Sequence, residues 1–159
     1  MPESQYDKTD LAILRRLQRD GRIANVDLAD AVALSPSSCL RRTKALESDG
    51  IIGGYRAELD RAAAGLGLTV FIELKVESHS QETSAQLEAA LTAIPAVVAC
   101  YLISGTADFS VEVVVPDLAA YEQLLLGQIL AIPQVVSAQS NFAIRTVLNR
   151  GPLPLDHWK

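Results

Sequence analysis

The residues with the most evident chemistry lie just after Ser35-Pro36. Ser37 and Ser38 fall in the first turn of a helix, and Arg41, Arg42 and Lys44 follow at helical spacing. Hydroxyls and free backbone N–H groups at a helix start can donate to phosphate oxygens, and Arg41 and Lys44 project away from the helix's apolar positions. A guanidinium such as that of Arg41 also matches the paired acceptors of a guanine edge in the major groove. Arg42 sits near the edge of the same face. A merely solvated basic face is the competing reading; the Ser-Pro cap, a short preceding helix and the basic Arg15, Arg16 and Arg22 weigh against it. The pattern calls for double-stranded DNA.

A second group is Ser104, Gly105, Thr106 and Asp108. Asp108 is the only acid between Val97 and Ser110, so an ammonium entering there has one obvious counter-charge. Gly105 would let a ligand approach the backbone, and Ser104 or Thr106 would supply a hydroxyl. The other reading of this segment is a tight turn, with Gly105 at positive φ and Asp108 bonded to its own backbone. Catalysis finds no such grouping. His79 and His157 lie in a polar loop and in the tail, Cys39 and Cys100 lack neighbours at metal-ligand spacing, and no glycine run has the lysine of a phosphate loop. Neither a catalytic centre nor a metal or cofactor is expected.

The basic group needs elements to hold it. Asp7 caps a predicted helix striped by Leu11, Leu14 and Leu17, which Asp20-Gly21 stops. Asn25 is a predicted cap for a two-turn helix with Val26, Leu28, Ala29 and Val32. Ser35 and Pro36 then start a third helix that runs to about Ser48, packing through Cys39, Thr43 and Leu46. Two helices joined by so short a turn form a helix-turn-helix. Ile51 to Leu59 could add a short wing strand, so residues 1–60 read as a winged-type DNA-binding domain and Arg61–Gly67 as a linker.

Residues 68–159 read as a second domain. Leu68, Val70, Ile72, Leu74 and Val76 alternate with Thr69, Phe71, Glu73, Lys75 and Glu77, which is a strand covered on one side. A helix from Glu82 to Ala93, strands at Val97–Ser104 and Phe109–Val115, a helix from Asp117 to Ala131 with Leu118, Tyr121, Leu125 and Ile129 inward, and a strand from Val135 to Leu148 complete the order βαββαβ. The segment Ala93-Ile94-Pro95-Ala96-Val97-Val98 recurs as Ala131-Ile132-Pro133-Gln134-Val135-Val136, the mark of two half-repeats in a ferredoxin-like sheet. The fold class is α+β. The uncovered sheet face, carrying Phe71, should be apolar and pair with a second copy.

Bulk properties agree. The net charge of −5 divides unevenly: residues 1–56 hold nine Lys and Arg against eight Asp and Glu, and residues 57–159 hold five against eleven. The acidity thus belongs to the second domain, and the first is free to face DNA. No membrane span or secretion signal is read, which places the chain in the cytoplasm. The function expected is a sequence-specific transcriptional regulator acting at a pseudo-palindromic site; the alternative is a metabolite-binding or enzymatic module whose N-terminal helices serve only assembly.

Asp7 to Asp60 resembles the Lrp/AsnC (leucine-responsive, feast/famine) regulators, in "DKTDLAILRRLQRDGR", "LADAVALSPSSCLRRTKALESDGII" and the exit "GGYRAELD". The turn "SGTADF" and the tail "LPL" are similar to that family's C-terminal domain. The resemblance implies a homodimer through paired sheets, stacked into an octamer, with an amino acid or similar effector bound between dimers. It puts the effector loop at Ser104–Phe109. Where family members often carry an acidic or aromatic residue between glycine and aspartate, this chain has Thr106 and Ala107.

Overall fold

The computed structural model describes residues 6–77 and 81–158; His79 lies outside them. The chain divides into two compact units, the first made of Met1–Glu58 with Leu148–Lys159 and the second of Leu59–Val147. The C-terminal tail, read from sequence as part of the second domain, is therefore grouped with the first unit. Nor are residues 61–67 a free linker. Asp60 Oδ1 accepts from the Ala63 N–H at 2.8 Å, forming a turn, and Arg61 bonds Thr69 Oγ1 at 2.9 Å and Glu112 Oε1 at 2.8 Å within the second unit.

The first unit holds α1 (Lys8–Leu17), α2 (Asn25–Ala31) and α3 (Pro36–Ser48). Asp7 accepts from Thr9 N at 2.8 Å and Asp10 N at 3.0 Å while Asp10 accepts from Asp7 N at 3.0 Å, a reciprocal capping box that fixes where α1 begins. The cap of α2 is Ala24 rather than Asn25; the Asn25 amide instead donates to Pro36 O at 2.8 Å, tying the start of α2 to the start of α3. Between these helices Ala33 adopts φ 55, and Leu34 N bonds back to Ala29 O at 2.9 Å. That six-to-one bond is a left-handed helix ending, which glycine usually occupies.

Ile13, Leu14, Leu28, Ala29, Cys39 and Leu46 form the buried core. Ile13 is missing from the expected stripe, and Leu17 is only half-buried. Thr43 faces inward as expected, but its buried hydroxyl has no hydrogen-bond partner among the described residues. The expected strand over Ile51–Leu59 is not formed: these residues are irregular and mostly exposed, held by Ile52 N to Leu46 O at 3.1 Å and by Tyr55 Oη to Glu47 Oε1 at 2.9 Å. Burial and the Glu47 carboxylate push the Tyr55 phenol up to about 12.

The second unit comprises β1 (Leu68–Val76), α4 (Gln81–Thr92), β2 (Val97–Leu102), β3 (Phe109–Val115), α5 (Leu118–Leu124) with a π-helical turn at Leu125–Ile129, and β4 (Val135–Phe142). Its antiparallel sheet has the order β2-β3-β1-β4, the split βαβ arrangement expected. The repeated Ala-Ile-Pro segments make one turn twice. Ile94 N and Ile132 N each bond the carbonyl three residues back at 3.2 Å, and Val97 N and Val135 N each bond their isoleucine's carbonyl at 3.0 Å. Both isoleucines are buried plugs beneath the sheet.

Three elements depart most from expectation. β2 stops at Leu102 rather than Ser104, and β4 at Phe142 rather than Leu148, with one further bond from Ala143 N to Thr69 O at 3.0 Å. The last helix is interrupted: Leu130 N bonds Leu125 O, five residues back, at 2.8 Å. This wider turn shifts the helix phase. Tyr121, Leu124 and Ile129 enter the core, whereas Leu118 stays exposed and Leu125 is half-buried. On the uncovered face Phe71 is 42% and Tyr101 61% exposed, but Phe71 lies in register between Glu112 and Asn141, and Glu73 between Ser110 and Gln139. The face is mixed rather than apolar.

Candidate nucleic-acid interface and effector loop

α3 begins where its residues require. Ser35 accepts from Ser38 N at 3.3 Å, its hydroxyl meets Ser37 Oγ at 3.2 Å, and Pro36 stands at the first helical position, where a missing N–H costs nothing. Ser37 is exposed and Ser38 half-buried. Leu40, Arg41 and Lys44 form the exposed side of the helix, and among the described residues neither Arg41 nor Lys44 enters an ion pair. Both cations are thus available to an approaching phosphate backbone.

Arg42 is used differently. Its Nη1 lies 2.8 Å from Asp10 Oδ1 and 2.9 Å from Asp7 Oδ2, and its side chain is 29% exposed. Asp10 is a buried carboxylate, so a single guanidinium neutralises it and fastens α3 to the first turn of α1. The hydrogen bond to Asp10 raises the Arg42 pKa, while the backbone N–H of Asp10, then Arg42 and the N–H of Thr9, hold Asp7 below its usual value. Sequence spacing placed Arg42 beside the basic face; a partner 32 residues away takes it out of that face.

In the second unit, Gly105 has φ 130, as a tight β2–β3 connection requires. Asp108 is built into the sheet's end: Oδ2 accepts from Val76 N at 2.9 Å, Asp108 N donates to Leu74 O at 2.9 Å, and Asp108 O accepts from Ile103 N at 2.9 Å. Its carboxylate and N–H bond β1's backbone, while its carbonyl closes its own turn. The β1–β3 pairing ends at Leu74–Phe109, so the Val76 N–H, two residues further along the same edge of β1, is taken by the Asp108 carboxylate. Ser104, Gly105 and Thr106 are exposed, with Ala107 buried beneath. Among the described residues no three His, Cys, Asp or Glu converge as a metal site. Cys39 is buried, and burial pushes the half-buried Cys100 thiol up.

Two family models match: the Lrp/AsnC ligand binding domain over residues 69–153 and a winged helix-turn-helix DNA-binding domain over residues 6–52. The chain belongs to the Lrp/AsnC family. It is 38% identical to the Bkd operon transcriptional regulator of Pseudomonas aeruginosa, over 96% of this chain and 99% of that one. It is likewise 38% identical to the leucine-responsive regulatory protein of Salmonella typhimurium, over 84% and 82% of the two chains. A Neisseria meningitidis transcriptional regulator solved with L-methionine superposes with a TM-score of 0.92 at 36% identity, covering 96% of this chain and 99% of its own. An Agrobacterium tumefaciens regulator of the AsnC family gives 0.90 at 36% identity with the same coverage. As an Lrp/AsnC member the chain is a DNA-binding transcriptional regulator, so the reading of its N-terminal helices as assembly elements only gives way. No helix among the described residues is long and apolar enough to cross a membrane.

Proposed function

We propose that this Lrp/AsnC chain reads a pseudo-palindromic DNA site through α3, using Ser37, Ser38, Arg41 and Lys44, and that an amino acid acting at the Ser104–Asp108 loop modulates it. The observation that carries the first half is the contrast on one helix: Arg41 and Lys44 are exposed and unpaired with acids among the described residues, whereas Arg42 is consumed in orienting the helix. Phosphate contacts by the two cations position α3, and Arg41 reads a base edge. The amino-acid effector is supported by the L-methionine in the N. meningitidis structure, similar over nearly the whole chain. Exposed Ser104, Gly105 and Thr106 present hydroxyls and backbone to it.

Dimerisation through the uncovered sheet face, around Phe71 and Tyr101, sets two recognition helices about one DNA turn apart, and stacking of dimers gives an octamer. The test is binding of the full chain to the DNA upstream of its own gene across a salt series. Affinity should fall steeply and linearly on a log–log plot as counterions are released. Absence of binding to any such fragment at low salt overturns the reading, and a stable monomer by light scattering overturns the dimeric site.

A further inference from the structure

The tail of the first unit, Leu148 to Trp158, meets Gln18 and Tyr6 across 135 and 152 residues of sequence. Leu155 and Trp158 pack against the core formed by the three helices, and Trp158 stacks on Tyr6 with ring centroids 5.4 Å apart. Arg15 Nη2 meets Asp156 Oδ1 at 2.7 Å. Between these anchors the sequence Pro152-Leu153-Pro154 leaves one backbone N–H, that of Leu153, because proline carries none. The Gln18 side-chain amide takes both polar groups of Leu153, accepting from its N–H and donating to its carbonyl at 3.3 Å. The two prolines also restrict the free tail, which lowers the entropy lost on seating it. Asn149 Nδ2 bonds Glu58 Oε1 at 3.2 Å, beside the point where the chain first leaves this unit. The seated tail forms one wall of an apolar cleft of about 420 Å³ whose other walls include Leu14, Leu17, Ile52 and Tyr55.

We propose that Gly151–Trp158 is a strap that completes the DNA-binding unit, clamping α1 through Gln18, Arg15 and Tyr6 and so, through the Asp10–Arg42 bridge, holding the recognition helix in place. The DNA-binding unit is then residues 6–58 together with the C-terminal strap. Its affinity for DNA depends on side chains that never touch DNA. The strap is also the direct continuation of the segment that follows β4, so a change at the end of that strand has a covalent route to α1. The inference rests on the DNA-binding reading only for its affinity arm.

Trp158 is the chain's single tryptophan and reports on the seat directly. In the full-length protein its emission should be blue-shifted and resist acrylamide relative to free tryptophan. Leu155→Ala, and independently the exposed change Gln18→Ala, should shift emission to the red and speed amide exchange of Leu11–Leu17 at least tenfold. Both should weaken DNA binding about tenfold with an unchanged salt slope, because no phosphate contact is lost. Wild-type Trp158 quenched as readily as free tryptophan, or α1 exchange unaltered in both variants, overturns the strap. If the wild type binds no DNA, the regulator reading fails while fluorescence and exchange still decide the strap.

Discussion

Arg42 and Asp10 meet at 2.8 Å across 32 residues of sequence, and through this contact the recognition helix is registered against α1. Removing the guanidinium leaves the buried Asp10 carboxylate without its cation. Arg42→Ala should cost about 3 kcal/mol of stability, the lower end for a broken buried pair because the arginine is partly exposed. Arg41→Ala, one position away, should change stability by less than about 0.5 kcal/mol but cost about 1–3 kcal/mol in specific DNA binding. Urea denaturation and operator titration of the two variants separate these roles; equal destabilisation by both contradicts the assignment.

The acid limit of the first unit should involve Asp7. Its carboxyl titrates below the ordinary aspartate value when folded, foremost through the Asp10 N–H. A depressed folded pKa gives stability that is present above the unfolded value and lost as pH falls through the folded one. Thermal melts should therefore show a stability loss below about pH 4 that is shallower in Asp7→Asn, which keeps an acceptor for the cap without the charge. Identical acid profiles would remove Asp7 from the account.

Ala33 occupies the left-handed region at φ 55 in the turn between α2 and α3. A Cβ there is disfavoured by roughly 1–2 kcal/mol, but glycine also gains freedom in the unfolded chain. The net expectation for Ala33→Gly is stabilisation by about 0.5–1 kcal/mol, read from the denaturation midpoint. A lower midpoint would show that the alanine methyl contributes more by packing than it costs in backbone strain.

Asp108 has two separable properties, an oxygen that accepts from Val76 N and a negative charge. Asn keeps the first and loses the second. If the charge holds an effector's ammonium, Asp108→Asn should abolish the thermal shift produced by a cognate amino acid while leaving the melting temperature and effector-free DNA binding nearly unchanged. Asp108→Ala, which strands the Val76 N–H, should cost about 1–3 kcal/mol. A full amino-acid response in Asp108→Asn would leave the residue a fastener of the β1 end only.

Most boundaries were legible in the sequence because the interactions that set them reach no further than a few residues. Asp7 with Asp10, Ser35 with Pro36 and Ser38, and the two Ala-Ile-Pro turns carry their hydrogen-bond partners beside them. Alternation in β1 likewise revealed its covered face, since strand geometry sends successive side chains to opposite sides. Periodicity names a face but not the partner that meets it. Only the tertiary structure decided that Arg42 turns to Asp10 rather than to DNA, that Asp108 fastens Val76, and that Trp158 returns to Tyr6. Each of those contacts spans at least 32 residues, so no local pattern encodes it. The packing that buries Asp10, the end of β3 pairing that leaves the Val76 N–H to Asp108 and the return of the tail to α1 must all exist before these partners can meet.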